Sequence, residues 1–164
     1  MGRYGAEVHW QRGDHPFVGG RYSRRHSLRF DGGIEVPGSA SPLVVPLPWS
    51  TNDAVDPEEA FVTALSACHM LWFLSLAAAA GVVVDAYVDR PVGTLAAGPD
   101  GRMMMIEVVL RPELSLASTV DAVRLLALHD AAHERCFIAA SIRSEVRIEP
   151  APAVVTAGVG DIPD

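Results

Sequence analysis

The sequence predicts an α+β fold, and three observations predict it. A run from Ala60 to Ala80 contains no proline, glycine or formal charge. Short β-branched and alternating segments flank a Gly98-Pro99-Asp100-Gly101 turn. A second, partly striped helical stretch separates these segments from a last alternating one. Strands, long helix, hairpin, helix and strand in that order belong to a layered α+β domain.

Along the chain, residues 4–10 read as an edge strand. Residues 17–30 read as two strands about a Gly19-Gly20 turn, the second of them carrying Arg21, Arg24, Arg25 and Arg29. Asp31-Gly32-Gly33 makes a turn before a short strand, Ile34-Glu35-Val36. From Pro37 to Asp56 the composition shifts to Pro, Ser, Gly and Asn, a long loop of the kind that usually has a function.

The central helix is the best-marked element. Asp56 caps it, Pro57 suits its first position, Glu59 completes a capping box and Gly81 ends it. Its apolar residues (Phe61, Leu65, Leu71, Trp72, Phe73, Leu74, Leu76) go all the way round, so it is expected to be buried on every side. About 20 apolar residues would also cross a bilayer. Thr63, Ser66 and His69 dilute this run, however, and no Lys or Arg flanks it, so no membrane span is expected.

After the helix, Val82 to Val88 reads as a strand, and Pro91 to Ala97 and Met103 to Leu110 as a hairpin. A second helix is expected from Ser118 to Glu134, with Ser118 and Asp121 as its capping signal. Ile138 to Ile148 reads as a closing strand. Residues 1–149 are expected as a single domain and 150–164 as a flexible tail rich in Pro, Ala and Gly.

A chain of 164 residues with net charge −7 lacks the basic surface of a nucleic-acid binder. All 13 basic residues are Arg, which reads as base composition before function. No signal-peptide pattern opens the sequence, so a cytoplasmic protein is expected. In that compartment two cysteines point to redox chemistry or to inert thiols rather than to a structural disulfide.

Cys68 lies near the middle of the long helix, beyond reach of the helix dipole. A reactive thiolate there needs a cation from elsewhere, and the Arg21 to Arg29 cluster is the dense source. Glu58, ten residues earlier, lies about 15 Å away along the axis. It can approach Cys68 only across a two-fold pair of such helices. Cys136, following the second helix, suits a resolving partner for a peroxidatic Cys68. A rival reading takes His129, His133 and Cys136 at i, i+4 and i+7, with His69 or Cys68, as metal ligands.

The segment Asp56-Pro57-Glu58-Glu59-Ala60-Phe61, then Ala64-Leu65-Ser66-Ala67-Cys68, with Cys136 after the second helix, resembles the osmotically inducible protein C / organic hydroperoxide resistance (OsmC/Ohr) family. The resemblance covers roughly residues 5 to 149. It implies an antiparallel sheet wrapped on a long buried central helix in an intertwined homodimer, with sites at the subunit interface. It also implies a cysteine-based peroxidase for organic hydroperoxides, reset by an external dithiol reductant, without metal or other cofactor. By the same resemblance Cys68 is peroxidatic, Cys136 resolving, and Glu58 pairs with the arginine that serves the thiolate. Arg24 is the chosen arginine, with Arg25 and Arg21 behind it. His69-Met70 and Phe137-Ile138 depart from the family pattern. A non-catalytic dimeric binding or stress protein of the same fold, or a His/Cys metal protein, stays open at this point.

Overall fold

The computed structural model describes residues 2–156. Strands β1 (Ala6–His9), β2 (His26–Phe30) and β3 (Glu35–Gly38) precede helix α1 (Pro57–Ala79). Then come β4 (Val84–Val88), β5 (Val92–Ala97), β6 (Met103–Leu110) and β7 (Glu113–Leu116), helix α2 (Ala122–Arg135), β8 (Glu145–Ile148) and β9 (Val154–Val155). They form three three-stranded sheets, ordered β1-β2-β3, β4-β7-β9 and β5-β6-β8. The pairings β6–β8 and β7–β9 are parallel, and the others are antiparallel. The chain gathers into two compact units, Met1–Phe61 and Val62–Asp164.

In the first unit β1, β2 and β3 form a meander. Residues 17–18 and 21–25, expected as strand on either side of the Gly19-Gly20 turn, do not join it. The Trp10 indole donates to the Ser23 carbonyl at 2.8 Å, and the Arg24 amide donates to the Trp49 carbonyl at 2.8 Å. Arg24 itself donates to the Gly20 and Tyr22 carbonyls, both at 2.6 Å. Groups that a strand would offer to a neighbour are therefore already taken. The Gly19-Gly20 turn forms as expected, with φ of 85° and 76°. The long loop is closed at its base, where the Val55 amide donates to the Pro37 carbonyl and the Ser39 amide to the Val55 carbonyl.

Both ends of α1 follow the sequence signals. The Glu59 amide donates to Asp56 Oδ1 at 2.7 Å, and the Asp56 amide donates back to Glu59 Oε2 at 3.2 Å, a reciprocal capping box. At the other end Gly81 takes φ 71°. Its amide reaches the Ala78 carbonyl and that of Val82 the Ala77 carbonyl, a Schellman ending.

Burial of α1 corrects the expectation of a helix covered on every side. Val62, Leu65, His69, Phe73 and Ala77 are buried, one stripe along the helix, while Leu71 is 63% exposed. Apolarity marks the faces that favour cover, but it does not say that the same chain supplies it. α1 is long and apolar enough to cross a membrane. Its Phe73 and Ala77 instead pack into a core with Val82, Leu114, Leu116, Leu125 and Ala132.

Three boundaries in the second unit differ from the sequence reading. Asp121, not Ser118, caps α2, its carboxylate accepting from the amides of Val123 at 2.9 Å and Arg124 at 3.2 Å. The strand expected from Ile138 starts only at Glu145, because residues 139–141 make a tight turn. There the Ala140 amide donates to the Cys136 carbonyl and the Ser141 hydroxyl to the Phe137 carbonyl. Strand β7, absent from the sequence reading, buries Leu114 and Leu116 by alternation. In the expected tail, β9 pairs with β7, and residues 157–164 lie outside the described residues.

The contact between α1 and α2 is partly polar. His69 Nε2 lies 3.1 Å from His129 Nδ1, with both residues 1% exposed. The rings are parallel within 5°, and Phe73 stacks on His129 at 4.2 Å. His69 Nδ1, His129 Nε2 and the Tyr87 hydroxyl are buried without a hydrogen-bond partner among the described residues. Burial pushes both imidazoles down to about 4; His133 adds to this at His69, where Asp89 opposes it, and His69 adds to it at His129. Both rings are thus neutral in the folded protein at neutral pH.

A Cβ at Gly93 of β5 would lie 2.7 Å from Val62 Cγ2 and 2.6 Å from Met105 Sδ. Val62 is stiff at χ1, so Gly93→Val should cost about 1–3 kcal/mol, read as a lower urea midpoint. The pH dependence has a definite sign. The unfolded histidines take up protons near pH 6.5 and the folded ones near 4, so the unfolded state binds more protons between those values. Stability from the neutral pair is complete above pH 6.5 and declines as pH falls toward 4. Urea unfolding from pH 4.5 to 7.5 should show that slope in the wild type and a shallower one in His69→Leu/His129→Phe.

Candidate active site

The second unit brings the two cysteines together. Cys68 sits on α1, half-buried, while Cys136 caps the C-terminal end of α2 and is 1% exposed. The two thiols are near enough for Cys68 to act on the ionisation of Cys136. The Cys136 sulfur also accepts from the Ala139 amide at 3.4 Å. Burial pushes the Cys136 thiol up to about 11; the Ala139 amide opposes this, and the neighbouring Cys68 adds to it. Cys136 is therefore a protonated thiol at neutral pH.

The local architecture explains this meeting. Leu125, His129, Ala132 and Cys136 lie at i, i+4, i+7 and i+11, so they share one face of α2. All four are buried. On α1, Ser66 donates to Asp89 Oδ2 at 2.6 Å, and the other carboxylate oxygen of Asp89 accepts from the Arg111 amide at 2.6 Å. That bond ties the helix to the end of β4 two residues before Cys68. Beside the thiols, Trp72 meets Phe137 edge-on at 5.6 Å, and the Arg135 guanidinium lies 5.8 Å from the Trp72 ring centre. Phe137 is 70% exposed, so this edge is open, with two aromatic rings and the Arg135 guanidinium beside it.

The other predicted residues lie in the first unit. Glu59 is engaged in the capping box, whereas Glu58 is half-buried and, among the described residues, makes no ion pair. Of the three candidate arginines, Arg25 is paired with Asp53 at 2.5 Å, and Arg21 is exposed. Arg24 is half-buried, held by two carbonyls, and its guanidinium lies 3.9 Å over the Tyr22 ring. Tyr22 is stacked on Phe17 at 4.7 Å and meets Trp10 at 5.5 Å. Among the described residues no carboxylate pairs with Arg24, so it is immobilised with its positive charge unneutralised.

The metal reading is corrected. Among the described residues no group of three or more His, Cys, Asp or Glu side chains has an arrangement that could hold a metal ion. His69 and His129 face each other, with one nitrogen of each used in their mutual bond. Sequence reasoning named both as ligands and missed their pairing. The available signal was that each falls on the buried stripe of its own helix.

Comparison with known proteins agrees with the fold. A model of the family described as OsmC-like protein matches residues 50–151. No curated protein gives a match. An OsmC-like protein of unknown function from Vibrio cholerae is 45% identical, over 92% of this chain and 100% of that one, with a TM-score of 0.89. An organic hydroperoxide resistance protein from Elizabethkingia anophelis is similar at 18% identity, 96% and 98% coverage and a TM-score of 0.66. The organic hydroperoxide resistance protein OhrB of Bacillus subtilis is similar at 17% identity, 93% and 98% coverage and a TM-score of 0.58. At those lower identities the likeness is one of fold. With more than half of its length matched by the family model and this architecture around the cysteines, the chain belongs to the OsmC-like protein family.

Proposed function

We propose that this protein is a cytoplasmic thiol-dependent peroxidase for organic hydroperoxides, acting as a homodimer. The observation that carries the reading is that Cys68 and Cys136, 68 residues apart in sequence, are close enough for one to act on the ionisation of the other, with unequal access to solvent. The half-exposed sulfur can be reached by a peroxide, and the buried protonated one can wait for its product.

The reaction balances with the groups named. The Cys68 thiolate attacks one peroxide oxygen, the O–O bond breaks, and the alkoxide takes up a proton and leaves as alcohol. Cys68 is then a sulfenic acid. The Cys136 sulfur displaces the sulfenic oxygen, whose departure with the thiol proton gives water and a Cys68–Cys136 disulfide. An external dithiol reduces that disulfide and is itself oxidised.

The cation that favours the thiolate is assigned to Arg24, with Glu58 as the carboxylate that orients it. Support comes from its uncompensated charge, its fixed guanidinium, and a Glu58 left free by the capping box. The homodimer is supported by the family and by the uncovered face of α1, where Leu71 lies. That same apolar surroundings, with Trp72 and Phe137, suits a hydroperoxide carrying an alkyl or aryl group.

Intact mass after one equivalent of an aryl hydroperoxide tests the reading. Wild type should lose about two hydrogens as the disulfide forms. Cys136→Ser should stop at a single added oxygen, and Cys68→Ser should not react. No mass change in the wild type rejects the peroxidase reading. Arg24→Met should slow oxidation at pH 7 by roughly an order of magnitude, because less of the nucleophile is thiolate. An unchanged rate removes Arg24 from the site.

A further inference from the structure

Arg135 has no part in the chemistry above. It stands in the last turn of α2 and is exposed. Among the described residues no carboxylate pairs with it. A chain with 20 acidic residues and net charge −7 offers many partners, the adjacent Glu134 among them. The guanidinium lies instead over the Trp72 ring of α1, 5.8 Å from its centre, a cation–π contact. Support of the helix end does not account for this placement. A positive charge in the last turn stabilises α2 wherever it sits around that turn, and His133 shares the position. Arg135 is turned onto another helix.

That helix carries Cys68. Trp72 follows Cys68 by four residues, which is about 6 Å along the axis and on the same face. Phe137 meets the Trp72 ring at 5.6 Å and 85°. A half-buried thiol, two aromatic rings and a guanidinium therefore share one open edge, and Trp72 is the member that joins them. A small molecule reacting at Cys68 would lay its body on the indole and bring its far end to Arg135. A guanidinium held by its face keeps the N–H donors in its plane free, and that planar fork matches a carboxylate bidentately. One cation rather than a cluster suits a singly charged group, and two rings suit an arene. A carboxylate at the end of a long chain would overshoot.

We propose that Arg135 is a substrate-binding residue that selects hydroperoxides carrying a carboxylate about one aromatic ring away from the peroxide. The inference rests on the peroxidase reading for what is turned over, so its test has one arm with peroxide and one without. In the first, kcat/KM is measured for cumene hydroperoxide and for its para-carboxylated counterpart, with dithiothreitol as reductant. The quantity read is the ratio of the two, because a partly misfolded variant lowers both alike. In the second, 4-isopropylbenzoate is titrated as a protectant of Cys68 against iodoacetamide, followed by mass on the peptide that contains Cys68.

The wild type should favour the carboxylated hydroperoxide, and Arg135→Met should lower that ratio at least about threefold, the size expected of an exposed charged pair. The concentration of 4-isopropylbenzoate giving half protection should rise by a similar factor. Should Arg135→Met not fold, Arg135→Lys serves, since it keeps the charge at the end of α2 but not the planar fork, and the same fall is expected of it. A smaller change in the ratio overturns the proposal, as does a wild type that favours the neutral hydroperoxide. Protection that is absent from the wild type, or equal in wild type and variant, overturns it too. If neither hydroperoxide is turned over while protection still depends on Arg135, the peroxidase reading falls and the carboxylate site stands.

Discussion

The second unit depends on one buried stripe of α1. Val62, Leu65, His69, Phe73 and Ala77 are the residues through which that helix holds the rest. Phe73 alone joins the core cluster, the His129 ring and the Tyr87 ring. Fully burying a side chain of that size contributes about 1.5–3 kcal/mol, so the stripe outweighs any single cap or ion pair on the surface. The exposed pairs, such as Arg90 with Glu113, belong to the class that adds at most about 1 kcal/mol. Apolar burial decides that the helix docks, while buried or half-buried polar contacts such as Ser66 with Asp89 and His69 with His129 add direction to it.

The thiol pair inherits its asymmetry from the same packing. Cys136 is at the end of a stripe that faces inward, so its sulfur is desolvated and keeps its proton. Cys68 is one residue off the buried line of α1, so its sulfur is partly open. Neither exposure nor basicity had to be arranged at the site itself. They follow from the 100° per residue of a helix and from which positions the apolar pattern turns inward.

Legibility in the sequence followed the range of the interaction that sets each feature. The ends of α1 were readable because Asp56, Pro57, Glu59 and Gly81 act within one turn. The Gly98 to Gly101 hairpin was readable for the same reason. Residues 21–25 were misread because Trp10 and Trp49, distant in sequence, capture groups of Ser23 and Arg24 that local alternation assigned to a strand. Residues 139–141 were misread because Cys136 and Phe137 turn the chain through their own carbonyls, which hydrophobic pattern does not record. For the site, Cys68 and Cys136 were legible through family resemblance, and their meeting was not, since spacing in sequence carries no information on approach across two helices. The histidines show the same limit. The i, i+4 spacing of His129 and His133 suggested a ligand set, whereas His129 is paired with a residue 60 positions earlier.

One consequence of the packing bears on the proposed reaction. A resolving thiol has two tasks that pull in opposite directions: it must stay protonated while the first sulfur reacts, and must give up that proton to form the disulfide. Burial serves the first task by raising the Cys136 pKa to about 11. The second needs an acceptor placed at the moment of attack, and the sulfenic oxygen on Cys68 is such an acceptor. A Cys136 S–H that neighbours the Cys68 sulfur before oxidation is near the new oxygen after it. The proton can then travel with the leaving hydroxide as water, and no separate base is required in a core whose nearby imidazoles are already committed to each other. A buried, reluctant thiol is thus suited to this step as long as its partner sulfur is held within hydrogen-bond range, and that condition falls on the packing of α1 against α2.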